Sequence, residues 1–275
     1  MYDGIFLPDS KLLADLKTEH LKTLSAPLDA YWEGALIGFA DHYELKIEGV
    51  RAGFYCINAD KQLVAFYLTR EYADHGEDAL SYVLGVHGVK SAFAGTNDPY
   101  FLSLCLDISA NSHVHTLLFE DKQKVVPVLE GFDQLSFELA TKDDFTDIVK
   151  HYCATSGSMD TESIEEGFDD IKGYIHSVMD EHRIFVLREH GTLIATSECR
   201  LSNTQKPYAD VGMIVGEQHR CKGVGSYMLA RTKEFCYEQG AQPICSCEAN
   251  NMGSKKAITK AGFVSRHRVV LIEFK

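Results

Sequence analysis

A mixed α/β fold, α+β in character with a mixed sheet, is what this 275-residue chain predicts. Three observations carry the expectation. Apolar strands alternate with amphipathic helices along the whole chain. The second half orders them as strand, helix, helix, three strands, helix, strand, helix, strand. A glycine-rich turn, Arg220-Cys221-Lys222-Gly223-Val224-Gly225, joins an apolar strand directly to a helix.

The elements follow in order. Residues 9–25 read as an amphipathic helix, with Leu12, Leu13, Leu16, His20, Leu21 and Leu24 at helical spacing and Asp9 or Ser10 as its cap. Residues 28–43 predict a second helix. FYCI (54–57) and QLVAFYL (62–68) flank the turn-like NADK and predict a hairpin. A helix over 72–86, a strand over 89–95, a helix over 99–109 with Pro99 in its first turn and a strand over 114–120 complete the first half. The connector 121–134 clusters charge with Pro127 and Gly131, which places a boundary near 131 and divides the chain into 1–130 and 131–275.

Beyond it, LSFELA (135–140) is a strand, and TKDDFTDIVKHYCAT (141–155) is a helix with a Thr cap and acids in its first turn. Residues 163–181 predict a helix with a central break. RIFVLRE (183–189) and TLIATSECRL (192–201) form a hairpin about His190-Gly191. YADVGMIV (208–215) is an apolar strand running into the glycine turn. A helix (226–238), the strand PICSCEA (243–249), a short helix (253–261) and the strand 263–274 end the chain.

Composition narrows the function classes. The chain is 45% hydrophobic and 24% charged, as a globular protein is, so long disorder is not expected. No apolar run approaches the roughly 20 residues of a membrane span. MYDGIFLPDSKL lacks the pattern of a signal peptide, so a cytoplasmic protein is expected, with no membrane partner. A net charge of −13 argues against nucleic acid as a partner and attracts small cations weakly. The eight cysteines include no C-x-x-C pair and read as buried thiols. Neither Cys245-x-Cys247 nor His113-x-His115 has a third ligand at clear spacing, so no metal is expected.

The glycine turn suits an anion. Gly223 and Gly225 let the main chain bend freely and let a ligand approach it closely. Unsatisfied N–H groups and the helix dipole add positive potential there, and Arg220 and Lys222 add formal charge. A plain tight turn stays open on these residues alone. The nucleotide triphosphate loop and the dinucleotide fingerprint are both absent.

DVGMIVGEQHRCKGVGSYML (210–229), with NMGSKKAITKAGF (251–263) after it, resembles the acetyl-CoA motifs of the GNAT superfamily of N-acetyltransferases. The resemblance covers residues 135–275 and implies a GNAT-like fold for the C-terminal domain. It implies acetyl-CoA as cosubstrate, with the pyrophosphate on Arg220 and the amides of Cys221, Lys222, Gly223, Val224, Gly225 and Ser226. Met213, Ile214 and Val215 would pair with the pantetheine, and Asn251, with Ser254 in the second motif, would lie near that arm. Asp210 sits where the family often has a glutamate and is the first candidate base; Glu198 and Glu248 are weaker ones. The family's acidic tyrosine falls on Ile258, leaving water or Tyr227 to protonate the thiolate. The implied acceptor is a small-molecule or peptide amine, and a homodimer stays open. A catalytically inactive acyl-CoA-binding regulatory module is the alternative.

The first half reads as a degenerate GNAT-like copy. Leu63-Val64-Ala65 matches Leu193-Ile194-Ala195, and SAFAGTND (91–98) resembles CSCEANN (245–251). These landmarks lie closer together in the first half, so part of the central strand, the glycine loop and its helix are expected to be missing there.

Overall fold

The computed structural model describes residues 1–155 and 164–275. Its contacts define two units, and the division is not a single cut in the chain. Met1–Leu118 group with Glu248–Asn250 and Ser265–Lys275, and Phe119–Cys247 group with Asn251–Val264.

In the first unit the chain runs through β1 (Tyr2–Leu7), α1 (Ala14–Thr23), a wide helical turn (Tyr31–Ile37), β2 (Asp41–Ile47), β3 (Val50–Ile57), β4 (Gln62–Leu68), α2 (Gly76–His87), β5 (Ser91–Gly95), α3 (Pro99–Asp107) and β6 (Ser109–Asp121). Asp9 caps the turn before α1 by accepting from the Lys11 N–H at 2.9 Å. The hairpin between β3 and β4 closes at Asn58, whose side-chain oxygen accepts from the Gln62 N–H at 2.9 Å. β1 to β4 pair antiparallel in order, and β4 pairs parallel with β5. Leu45, Phe66, Leu80, Val83 and Phe101 pack into this unit's core.

One expectation fails here. Residues 28–43 are not one helix: helical winding stops at Ile37, and Asp41 opens a strand. The N-terminal residues, for which the sequence predicts no element, form β1. The departure has a tertiary cause. β2 is paired along both edges, by β1 and by β3, and that pairing with the burial of Leu45 and Ile47 outweighs local propensity.

The second unit runs β7 (Leu135–Leu139), α4 (Phe145–Thr155), α5 (Ile164–Asp180), β8 (Ile184–Glu189), β9 (Thr192–Leu201), β10 (Tyr208–Val215), α6 (Val224–Glu238), β11 (Gln242–Glu248), α7 (Met252–Lys260) and the start of β12 (Phe263–Phe274). Thr141 and Asp144 form a capping box ahead of α4. α5 has no central break, and the start of its expected range lies outside the described residues. β7 to β10 pair antiparallel in order, and β10 pairs parallel with β11. One sheet face buries Ile148, Val149, Ile175, Val178, Ile184 and Val186 beneath α4 and α5. The other buries Leu187, Ala195, Val224 and Met228 beneath α6. Truncating Ile148 or Ile175 to alanine would cost about 3 kcal/mol.

The last strand departs from a sequential division. β12 pairs antiparallel with β5, Val269 opposite Gly95 and Glu273 opposite Ser91, so its main part belongs to the first unit.

The internal repeat also needs correction. Each half has a three-strand meander, then a helix, then a strand parallel to the third. β4 therefore corresponds to β10, not to β9, and α2 corresponds to α6. The central strand and helix expected to be missing are present. The Leu-Val-Ala and Leu-Ile-Ala similarity misled because any buried hairpin strand favours such residues; strand order decides the correspondence.

Candidate active site

The site begins with a strand that loses one neighbour. β10 pairs with β9 from Ala209 to Val215, but with β11 only from Tyr208 to Asp210, against Gln242–Ile244. Beyond Asp210 the edge toward β11 opens. The Gly216 N–H donates to the Ile194 carbonyl at 2.9 Å. Antiparallel alternation then turns the N–H and C=O groups of Val211, Met213 and Val215 toward the open edge. The Val215 carbonyl accepts from Arg220 Nε at 3.2 Å, which fixes the top of that edge.

The glycine turn follows. Glu217–His219 make one tight turn, Arg220 is extended, and Cys221 and Gly223 adopt left-handed φ values of 62° and 88°. Gly223 caps α6 without a side-chain hydrogen bond, and no acid occupies the first turn of the helix. Cys221, Lys222 and Gly223 are exposed. The Ser226 hydroxyl donates to the Gly223 carbonyl at 2.8 Å and leaves the leading amides uncovered. The two glycines have different tasks. Gly223 supplies the left-handed bend. A Cβ on Gly225 would lie 3.3 Å from Ala257 Cβ and from Met213 Cε, so Gly225 lets α6 pack closely on α7 and β10.

The second motif caps a helix. Asn251 is exposed and accepts from the Ser254 N–H at 3.0 Å, forming the N-cap of α7. Ile258 is 3% exposed and apolar. Tyr227 packs with Val224, Met228 and Phe137. Glu248 is exposed at the end of β11 and groups with the first unit.

Asp210 and Glu198 are buried together on the α4 and α5 side of β9 and β10. Asp210 pairs with Arg200 directly across the strands. Glu198, opposite Gly212, accepts hydrogen bonds on its two oxygens from the hydroxyls of Tyr152 and Tyr174. Arg200 donates to the Tyr174 hydroxyl at 2.9 Å and stands 3.4 Å from Glu198. Burial, and after it the Glu198 charge, pushes both tyrosine hydroxyls well up, so they stay protonated donors. Burial disfavours the Arg200 charge, and the Asp210 and Glu198 carboxylates more than offset that. His151, on α4, reaches the Ile214 carbonyl with Nε2 at 3.3 Å, and burial holds its imidazole below the ordinary range.

Tyr152, Tyr174, Arg200 and His151 were not expected from the sequence. A strand-alternation argument from Glu198 finds Arg200, two residues on. Nothing local marks the tyrosines, because their role depends on how two helices cross a sheet. Among the described residues no cluster of His, Cys, Asp and Glu could hold a metal. None of their helices is long and apolar enough to cross a membrane.

This geometry agrees with comparisons to known proteins. An acetyltransferase (GNAT) domain family matches residues 9–122, and an acetyltransferase (GNAT) family matches residues 146–263. An acetyltransferase of the GNAT family from Colwellia psychrerythraea is 29% identical over 99% of this chain and 100% of its own, with a TM-score of 0.89. A tandem GNAT protein from the clavulanic acid biosynthesis pathway, solved without AcCoA, shares the fold at 12% identity and a TM-score of 0.67, over 99% of this chain and 98% of its own. A GCN5-related N-acetyltransferase from Sphaerobacter thermophilus shares it at 12% identity and a TM-score of 0.65, over 98% and 94%. No curated protein matches.

Proposed function

Because the chain belongs to the GNAT acetyltransferase family through both of its halves, we propose that its second unit moves the acetyl group of acetyl-CoA to a primary amine. The observation that carries this reading is the open edge of β10 leading into an uncapped helix N-terminus flanked by Arg220 and Lys222. The pyrophosphate sits on the amides of residues 221–226. The pantetheine arm pairs with the edge at Met213 and Val215, as an added strand would. The thioester then lies toward the closed end of the gap, where N–H groups on the open edge meet the developing oxyanion.

The amine must arrive or become neutral, since a free alkylamine has a pKa of about 10.4. Glu198 and Asp210 are the carboxylates at the closed end. Glu198 is opposite Gly212, two residues and roughly 7 Å beyond the Asp210 pair toward the opening. Asp210 is tied to Arg200. The proton therefore passes to Glu198, directly or through water, and Asp210 holds the arginine in place. Ile258 donates no proton, so water protonates the departing thiolate.

That same Ile258 favours the second reading, a module that binds acyl-CoA without turnover. Calorimetry with acetyl-CoA tests the binding half of the proposal. Release of free thiol in the presence of a panel of amines tests the rest. Binding without thiol release from any amine would leave the regulatory reading standing.

A further inference from the structure

The polar face beneath α4 and α5 has a composition that the acetyl donor does not explain. Strand alternation sends Ser197 and Cys199 of β9 to the α6 side, where they meet Thr232 at 2.6 Å and Cys236 at 3.0 Å. Thr196, Glu198 and Arg200 therefore point the other way, with Asp210 and Gly212 beside them on β10. Thr196 is fully buried, yet its hydroxyl has no hydrogen-bond partner among the described residues. Buried hydroxyls are ordinarily satisfied, so this one has hydrogen-bonding capacity left over among the described residues.

Charge sharpens the requirement. The Arg200 guanidinium is committed to Asp210 and to the Tyr174 hydroxyl. Glu198, with a side chain 8% exposed, is held by two neutral phenols and stands 3.4 Å from the same guanidinium. One arginine thus serves two buried carboxylates, which leaves this cluster of described residues with negative charge in excess. Beside it, Gly212 leaves space: among the described residues a Cβ there would meet only Arg200 Nη2, at 3.8 Å. A cation that also offers hydrogen bonds suits this place. A carboxylate does not, because it would face two buried acids with the one arginine already engaged.

We propose that this face is the acceptor pocket, that it takes a compact cationic amine carrying no carboxylate, and that Glu198 and the Thr196 hydroxyl hold it. The proposal rests on the acetyltransferase reading for the word acceptor, but the binding site itself does not need turnover. The chain's net charge of −13 adds long-range attraction for such a ligand.

The test is calorimetry on the full chain with two probes of matched length, putrescine and γ-aminobutyrate. Putrescine is expected to bind at least about tenfold more tightly. Glu198→Gln and the isosteric Thr196→Val should each weaken putrescine, with melting temperatures checking that the variants fold. Equal affinities, a preference for γ-aminobutyrate, or no binding of either probe at millimolar concentration overturns the proposal. So does putrescine binding that neither folded variant weakens. A separate titration with acetyl-CoA keeps the two readings apart. If acetyl-CoA fails to bind while putrescine binds as described, the acetyltransferase reading fails and the cation site stands.

Discussion

β4 hands over to α2 in the first unit as β10 hands over to α6 in the second, and the two junctions differ in charge. Both third strands pair with their parallel neighbour only at the start, β4 over Gln62–Leu63 and β10 over Tyr208–Asp210. Both then turn through a short 3-10 segment into a helix. The first junction carries Glu71, Asp74, Glu77 and Asp78 against Arg70, and Glu77 and Asp78 lie in the first turn of α2. The second carries Arg220 and Lys222 against Glu217, with no acid in the first turn of α6. The first is also covered. Tyr100 donates to the Ala73 carbonyl at 2.5 Å, and a Cβ on Gly76 would come within 2.2 Å of its hydroxyl oxygen. At the end of β5, Asn97 is tied to the chain after α1: its carbonyl accepts from the Ser25 N–H at 2.9 Å, and its amide donates to the Ala26 carbonyl at 3.0 Å. The counterpart after β11, Asn250, is exposed. One backbone plan thus serves two ends. Charge and cover, rather than a missing strand or helix, are what distinguish the two junctions.

The bluntest way to break the comparison is to separate the halves. A fragment of residues 131–275 keeps β12 but loses β5, the strand that Val269–Glu273 pair with. It is expected to be insoluble or unfolded by circular dichroism, because it bares a long unpaired strand. A soluble, cooperatively melting fragment would show that the second unit does not need that pairing.

Next in size is Gly225→Asp. It is expected to abolish acetyl-CoA binding in calorimetry and to lower the melting temperature, since the new side chain starts 3.3 Å from Ala257 and Met213. The paired change Arg220→Glu with Lys222→Glu copies the first junction's charge onto exposed positions. It should weaken acetyl-CoA by about a hundredfold or more while the melting temperature holds. Full affinity in that double variant would remove charge from the explanation.

Glu198→Gln tests the chemistry beside the loop. A lost general base costs about 10²–10⁴ in kcat, and acetyl-CoA affinity should stay as it was. A variant that weakens the cofactor instead would place Glu198 in its binding.

The smallest effect is on stability against pH. Burial lowers the pKa of His151 and of His42, with Lys17 adding to the effect on His42. The unfolded imidazole titrates near 6.5. Such groups contribute stability that is full above that value and is lost as the pH falls toward and through the folded value. The melting temperature should therefore decline below about pH 6.5, and His151→Gln should flatten part of that decline. An identical slope in the variant would mean that other groups set it.

The sequence showed the second unit's architecture well because its signals are local. A Thr141 cap, a His190-Gly191 turn and an apolar strand ending in Gly223 and Gly225 each sit within a few residues of the element they mark. The glycine turn and the helix behind it were legible for the same reason. The polar face beneath α4 and α5 was not. Glu198 could be named, but Tyr152 and Tyr174 reach it from two helices, and Thr196 becomes informative only once its hydroxyl is found without a partner among the described residues. The first half was misread where pairing overrides propensity, at β2, and where a hairpin similarity stood in for strand order.

The central claim is that only the second junction holds acetyl-CoA. Titration calorimetry on the intact chain counts the sites directly. The account predicts one acetyl-CoA per chain, falling to none when Arg220→Glu and Lys222→Glu are combined. Two acetyl-CoA per chain, or one that survives this double variant, would contradict it.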